Sequence, residues 1–490
     1  MSEQQDKTAS KGNIVNLLLL TAYFLVNLWI SSYHEAWRDE SQAWVLVRNS
    51  TIPEIFGLCA SEGHPCLWFL FLYPFTRLGF SFYHFSYISL VIMTIAAGLW
   101  LWKAPFGLFS RVCVLLSPLF FYYNPVICRI YSLLMVIMLL LCMLWKDRHS
   151  HPLYYGILVA FLIQSHILAV GLAIGCILDM LLELAGNKSH RKTAEFAGLL
   201  ISAASFLLLL LELRQDSQTE AFLNVNPSSI LNNIRPTHVY EVLLSFSSKF
   251  GTVTGWLILL FSILFLLYLF ISYIKDEDFR KEYSREFIVM LCAIGVYSGV
   301  MFLVRSADHI QIAIIFWIFL MFICWIGMFK RDVRNMHLII TVFLTGICLL
   351  DMPTCLYSDI RYEIKEQYSG GEEITDMIRS NLPAGSTIVL RNDLFSPSVY
   401  AYLAETDAYR VWDIENIAPY SIHKWGKVKP RELTDSEVPA YIQKDFSTGD
   451  EVYFVATSRL ENDDYVKLMF SNSSPSKWYE DFYVYHVNVL

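Results

Sequence analysis

From residue 13 to residue 352 the chain alternates long apolar stretches with short polar connections. Stretches of roughly 20 residues recur, and as helices rising 1.5 Å per residue each is long enough to cross a hydrocarbon core of about 30 Å. Residues 17–30, 127–145, 257–273, 310–328 and 338–350, and 206–211 with its flanks, are examples. One apolar segment, 65–74, is only about a dozen residues long, which predicts a re-entrant or juxtamembrane helix. The pattern as a whole predicts about 11 spans, or 12 to 13 if shorter segments also cross. From residue 358 the periodicity changes. Helices are expected over 372–382, 396–403 and near 438–446, and strands over 387–391, 409–413, 451–456 and 482–489. The expected fold class is a polytopic α-helical membrane protein with a small C-terminal α/β domain. Its organisation is a short N-terminal segment, 1–12, a transmembrane domain, 13–352, and a polar domain, 353–490.

Composition agrees with that division. Apolar residues make up 55% of the chain and charged ones 17%, with a mean hydropathy of +0.43, which excludes an ordinary soluble domain. The net charge of −8 arises largely from the C-terminal segment, and no nucleic-acid signature is present. Most of the ten cysteines fall inside apolar runs and read as small buried hydrophobes. Cys59 and Cys66 share one loop and are the pair whose spacing permits a disulfide. No small-residue cleavage site follows the first apolar run, so it reads as a retained helix.

Lysine and arginine collect in six connections: Lys7/Lys11, Lys103, Lys146/Arg148, Lys188/Arg191/Lys192, Lys275/Arg280/Lys281/Arg285 and Lys330/Arg331/Arg334. The positive-inside rule makes these cytoplasmic. Parity then puts 33–64, 124–129, the Gln164-Ser165-His166 turn, 214–249 and 305–309 on the outer face. The C-terminal domain follows an outward crossing and is expected outside the cell membrane.

Several ionisable groups fall on that outer side. The first outer loop reads Tyr33-His34-Glu35-Ala36-Trp37-Arg38-Asp39-Glu40 and later Glu62-Gly63-His64-Pro65, with the proline suited to a first helical turn. A loop entering water is expected to be charged, and an arginine at a helix end can snorkel. Yet Asp39, Glu40, His64, Arg129, His166, Arg305 and His309 share one side at similar depth, with Tyr131 beside Arg129. Ionisable groups at a membrane are costly, so their convergence suggests a polar cavity. Cations there suit a phosphate, and a carboxylate can take a proton from a hydroxyl.

The order of these motifs resembles the GT-C fold glycosyltransferases that use polyprenyl-phosphate sugars, the superfamily of protein O-mannosyltransferases and aminoarabinose transferases. The resemblance rests on Asp39-Glu40, His64-Pro65-Cys66-Leu67, Arg129-Ile130-Tyr131 and Gln164-Ser165-His166, over about residues 13–350. Cys66 stands where a second proline is usual and Ser165 where threonine is, and His166-Ile167 lacks the aromatic partner, so the sugar stays open. The resemblance implies an inverting transfer of a sugar from a polyprenyl-phosphate donor to an extracytoplasmic glycan, lipid or protein acceptor of the cell envelope. Asp39 would be the base, with Glu40 positioning the acceptor or sharing that role. His64, Arg129 and Arg305 would bind phosphate, and Tyr131, His166 and His309 would contact substrate. The donor carries its own leaving group, so chemistry requires no metal, although carboxylates at such a site can bind a divalent ion.

Two other function classes fit a polytopic chain with outer-face charges. A lipid-linked glycan flippase or transporter would be expected to show internal repeats and a midplane site, and neither is visible. A polysaccharide polymerase or ligase would carry its bulk between helices, whereas here it lies at the C-terminus as an acceptor-binding or structural cap.

Overall fold

The computed structural model describes residues 2–186, 192–214, 243–244, 252–303, 310–332, 335–422, 429–462, 464–473 and 475–490. Lys188, Arg191, Arg334, nearly all of 214–249, and Arg305, Asp308 and His309 therefore lie outside the described residues. The chain is mostly helical with a small C-terminal sheet domain. It divides into two compact units. One takes in the described parts of Met1–Trp29, Ser89–Leu213 and Leu223–Ile360, the other chiefly Ile30–Ile88 and Arg361–Leu490. Residues 33–64, expected to form the first outer loop, thus cluster with the C-terminal domain, although a boundary drawn at 352/353 assigns them to the helical part.

Seven helices among the described residues are long and apolar enough to cross a membrane: Gly12–Ser31, Phe82–Lys103, Ile130–Ser150, Ile167–Ala185, Lys192–Glu212, Val253–Lys275 and Met336–Pro353. Two shorter apolar helices, Pro152–Ile163 and Ile314–Gly327, accompany them, as does the 27-residue helix Glu277–Leu303. Many large apolar side chains on the spans point outward, among them Leu18, Leu207, Leu211, Leu264 and Val342. Water would penalise that surface and lipid does not.

Helices of the first unit meet through glycine. A Cβ at Gly156 would lie 2.4 Å from the carbonyl oxygen of Gly198, so the Pro152–Ile163 and Lys192–Glu212 helices touch backbone to backbone. Ser202 Oγ donates to the Gly156 carbonyl at 3.2 Å beside that contact. Small residues at a crossing let helices gain dispersion contacts where no hydrophobic drive exists.

The basic connections are pinned at one end of this unit. Arg148 Nε donates to Asp179 Oδ2 at 2.6 Å, and Arg285 Nη1 lies 3.3 Å from Asp179 Oδ1. Lys330 Nζ lies 3.1 Å from Glu286 Oε1, which also accepts from Trp145 Nε1 at 3.0 Å. Three of the six basic connections therefore converge, as a common side for them requires, and each buried charge has an opposite partner.

In the second unit a six-stranded sheet runs in the order β3-β2-β1-β4-β6-β5. The strands are β1 Thr387–Leu390, β2 Arg410–Asp413, β3 Ala418–Pro419, β4 Val452–Ala456, β5 Val466–Ser471 and β6 Tyr483–Val487. β1 pairs in parallel with β2 and β4. The other pairings are antiparallel. The two-residue side-chain period of a strand divides the core. Ile388 and Leu390 pack with Ile374, Ile378 and Val399 on one face. Val389 packs with Ile442, Val438 and Phe454 on the other.

Residues 33–77, which take in the expected first outer loop 33–64 and the short apolar segment after it, are largely helical. They contain the helices Arg38–Asn49, Ile52–Glu62 and Leu67–Arg77. The last confirms the expected short helix, but it starts at Leu67, so Pro65 precedes it rather than occupying its first turn. Cys59 and Cys66 are buried thiols, and the Cys59 thiol donates to the Ile55 carbonyl at 3.2 Å.

Candidate functional site

The acidic loop is built around His34. Its Nε2 lies 2.9 Å from Glu40 Oε2 and its Nδ1 2.8 Å from Glu363 Oε1, and all three side chains are almost wholly buried. Burial alone pulls the imidazole pKa down. The charges and hydrogen bonds of the two carboxylates more than offset this and raise it to about 10. His34 is therefore an imidazolium that donates from both nitrogens.

Glu40 has a second task at the start of the Arg38–Asn49 helix, where its Oε2 accepts from the Trp37 amide at 3.3 Å. An acidic residue in the first turn suits both the free amides and the helix dipole. Asp39, one residue earlier, is turned differently. About a third of its side chain (32%) is exposed, with Arg38 Nε 3.9 Å away. Two adjacent carboxylates of like chemistry are thus divided into an accessible one and a buried, anchored one.

Glu480 ties this loop to the sheet domain. Its Oε1 accepts from the Arg38 amide at 3.0 Å, while Oε2 accepts from Ser369 Oγ at 2.6 Å and Ser398 Oγ at 2.8 Å. Burial raises its pKa to about 7 against those hydrogen bonds. Trp37 stacks on Trp478 with centroids 4.5 Å apart, and His34 packs on Tyr368 at 4.8 Å. Glu35 faces the same region, and one of its oxygens, Oε2, is buried with no hydrogen-bond partner among the described residues. Burial, then the carboxylates of Glu372 and Glu373, raise its pKa to about 8.

His64 is partly buried and follows Gly63, which ends the Ile52–Glu62 helix in the left-handed region at φ 67°. Gln42 Nε2 donates to Glu62 Oε1 at 2.8 Å and joins that helix to Arg38–Asn49. His64, Asp39 and Glu40 accordingly belong to one unit.

Arg129, Tyr131 and His166 belong to the other. Arg129 occupies the N-cap of the Ile130–Leu144 helix in an extended conformation, and Tyr131 and His166 are buried with ring centroids 5.7 Å apart. His166 Nδ1 accepts from the Leu168 amide at 3.1 Å, which in the neutral ring leaves the proton on Nε2. Gln164 and Ser165 serve the turn itself, with Gln164 Nε2 donating to the Ser205 carbonyl at 3.0 Å and Ser165 Oγ to that of Leu162 at 2.7 Å. Arg305 and His309 lie outside the described residues. Among the described residues no three His, Cys, Asp or Glu groups are placed to hold a metal ion.

Sequence reasoning passed over His34, Glu35, Glu363, Glu480 and the Trp37–Trp478 stack. His34 and Glu35 stand in the quoted acidic motif and were within reach of it, whereas their partners from the C-terminal domain carry no motif. Asn124 was also missed. It is wholly buried, and neither atom of its amide is hydrogen-bonded among the described residues.

Comparison with known proteins returns no match among family models, curated proteins or solved structures.

Proposed function

We propose that the chain is a GT-C-type membrane glycosyltransferase, with about 11 to 13 spans, that moves a sugar from a polyprenyl-phosphate donor to a hydroxyl on the outer face. The observation that carries this reading is the separation of roles in the acidic loop. Asp39 alone of the Asp39-Glu40 pair is open to solvent, and its helix is held by Glu40, His34, Glu363 and Glu480. A base must meet its substrate, and it works best on a rigid element.

In the proposed reaction Asp39 takes the proton of the acceptor hydroxyl. The acceptor oxygen forms a bond to the anomeric carbon, the bond from that carbon to the phosphate oxygen breaks, and polyprenyl phosphate departs. Inversion follows from the single displacement. Arg129 and His64 are the described residues assigned to the phosphate, with Arg305 assigned from sequence. Tyr131, His166 and His309 are assigned to substrate contact. Glu40 holds the loop rather than sharing the base's role. The C-terminal domain is extracytoplasmic in this reading and borders the acceptor.

The test is transfer of radiolabelled sugar from a panel of polyprenyl-phosphate sugars, in membranes carrying matched amounts of wild type or Asp39→Asn. Loss of a general base is expected to lower transfer about 10²- to 10⁴-fold with folding retained. Normal transfer by Asp39→Asn, or no donor consumed by wild type, overturns the reading.

A further inference from the structure

The Arg38–Asn49 helix has tryptophan at its N-cap, Trp37, and an indole has no oxygen to offer the first amides of a helix. The helix cannot satisfy those amides internally. The Arg38 amide instead donates to Glu480 Oε1 at 3.0 Å, across 442 positions of sequence. A carboxylate of the C-terminal domain thus does for this helix what a serine or aspartate at the N-cap ordinarily does.

Glu480 is fixed at both its side chain and its main chain. It is wholly buried, and its Oε2 accepts from Ser369 Oγ and Ser398 Oγ. Ser369 stands just ahead of the Gly371–Asn381 helix and Ser398 in the first turn of Ser396–Leu403. One carboxylate therefore joins the starts of three helices, where the helix dipoles favour it. The Glu480 amide donates to Ser476 Oγ at 2.6 Å, and its carbonyl accepts from the Gly370 amide at 3.1 Å. That approach is close enough that a Cβ at Gly370 would lie 2.4 Å from the Glu480 oxygen. Two residues earlier Trp478 stacks on Trp37, and the Ala36 amide donates to Tyr402 Oη at 3.1 Å. The start of the Arg38–Asn49 helix takes its place from these contacts.

We propose that Glu480 is a positioning residue for Asp39, and that through it the C-terminal domain is a working part of the transfer site rather than a separable cap. This rests on the reading of Asp39 as the base. Asp39 is the residue after Arg38, so an Arg38 amide released from Glu480 lets the first turn of the helix shift and carries the base with it. Burial raises the Glu480 pKa to about 7, so near neutral pH the carboxyl serves as an acceptor of fixed reach that bears a full charge only part of the time.

The test is consumption of the radiolabelled polyprenyl-phosphate sugar that wild type uses, at graded donor concentrations, in membranes carrying matched amounts of each variant of the full chain. Glu480→Ala should lower kcat about 10- to 10²-fold, the scale of a misplaced catalytic group, with the donor KM unchanged. Glu480→Gln keeps an acceptor of the same reach and should restore transfer close to wild type. In an Asp39→Asn background Glu480→Ala should cost nothing further, because a base already removed cannot be misplaced. A residue that only stabilises the fold would lower transfer alike in both backgrounds. If Glu480→Ala fails to fold, Glu480→Asp, one methylene short of the Arg38 amide, takes its place. Wild-type kcat in the folded variant, a Glu480→Gln as impaired as alanine, or an equal loss in the Asp39→Asn background overturns the positioning role and leaves Asp39 as the base. Normal transfer by Asp39→Asn overturns the base, and the positioning role falls with it.

Discussion

Replacing Glu35 by glutamine tests the electrostatics of the acidic loop directly. The Glu35 pKa rises from 4.5 to about 8 because the side chain is buried and faces Glu372 and Glu373. One pKa unit corresponds to about 1.4 kcal/mol, so ionising Glu35 in the folded unit costs roughly 5 kcal/mol, a ceiling that water entry would lower. The sign follows from linkage. The raised folded value makes the Glu35 contribution fully present below pH 4.5, and it is lost as pH rises towards 8. Glutamine has no charge to acquire and escapes that loss. The assay is hydrogen exchange of the purified full chain in detergent, followed at peptides covering 34–48 and 366–374 between pH 4.5 and 9 and corrected for intrinsic rates. At pH 4.5 wild type and Glu35→Gln should be protected alike. By pH 8 the variant should be more protected by about 10²-fold or more, the equivalent of roughly 3 kcal/mol. Parallel profiles for the two proteins across the whole range would refute the reasoning.

Other perturbations follow from the same geometry. His34→Gln removes the cation between Glu40 and Glu363 and should cost about 3–5 kcal/mol, read as lost exchange protection both in Arg38–Asn49 and around Glu363. Because the His34 pKa is raised to about 10, its contribution in wild type is complete below pH 6.5 and fades as pH climbs towards 10. Gly156→Ala sets a Cβ 2.4 Å from the Gly198 oxygen and should destabilise the helical unit by about 1–3 kcal/mol. A Cβ at Gly295 meets nothing within 4 Å, so Gly295→Ala should leave the melting temperature in detergent near that of wild type.

The helices long and apolar enough to cross a membrane were legible in the sequence because such a helix is specified by local quantities, its length and its apolar content. The C-terminal domain was legible for a related reason. The helix expected over 396–403 is found at Ser396–Leu403, and the strand expected over 387–391 at Thr387–Leu390, since side-chain periodicity is written residue by residue. β3 and β5 were missed. They lie at the two edges of the sheet, and β5 is interrupted by a register shift between Leu468 and Phe470, so partners rather than local pattern make them strands. The first outer loop read as a polar connection, and its helices Arg38–Asn49 and Ile52–Glu62 owe their stability to packing that no short window reveals. The candidate site divides in the same way. The sequence by itself determined that carboxylates, a histidine and an arginine recur at particular helix ends. Only the tertiary structure joined His34 to Glu363 across 329 residues and stacked Trp37 on Trp478. It alone separated Asp39 from Glu40, because adjacent carboxylates have the same chemistry in a sequence and acquire different roles only when folding leaves one in water and buries the other against a cation.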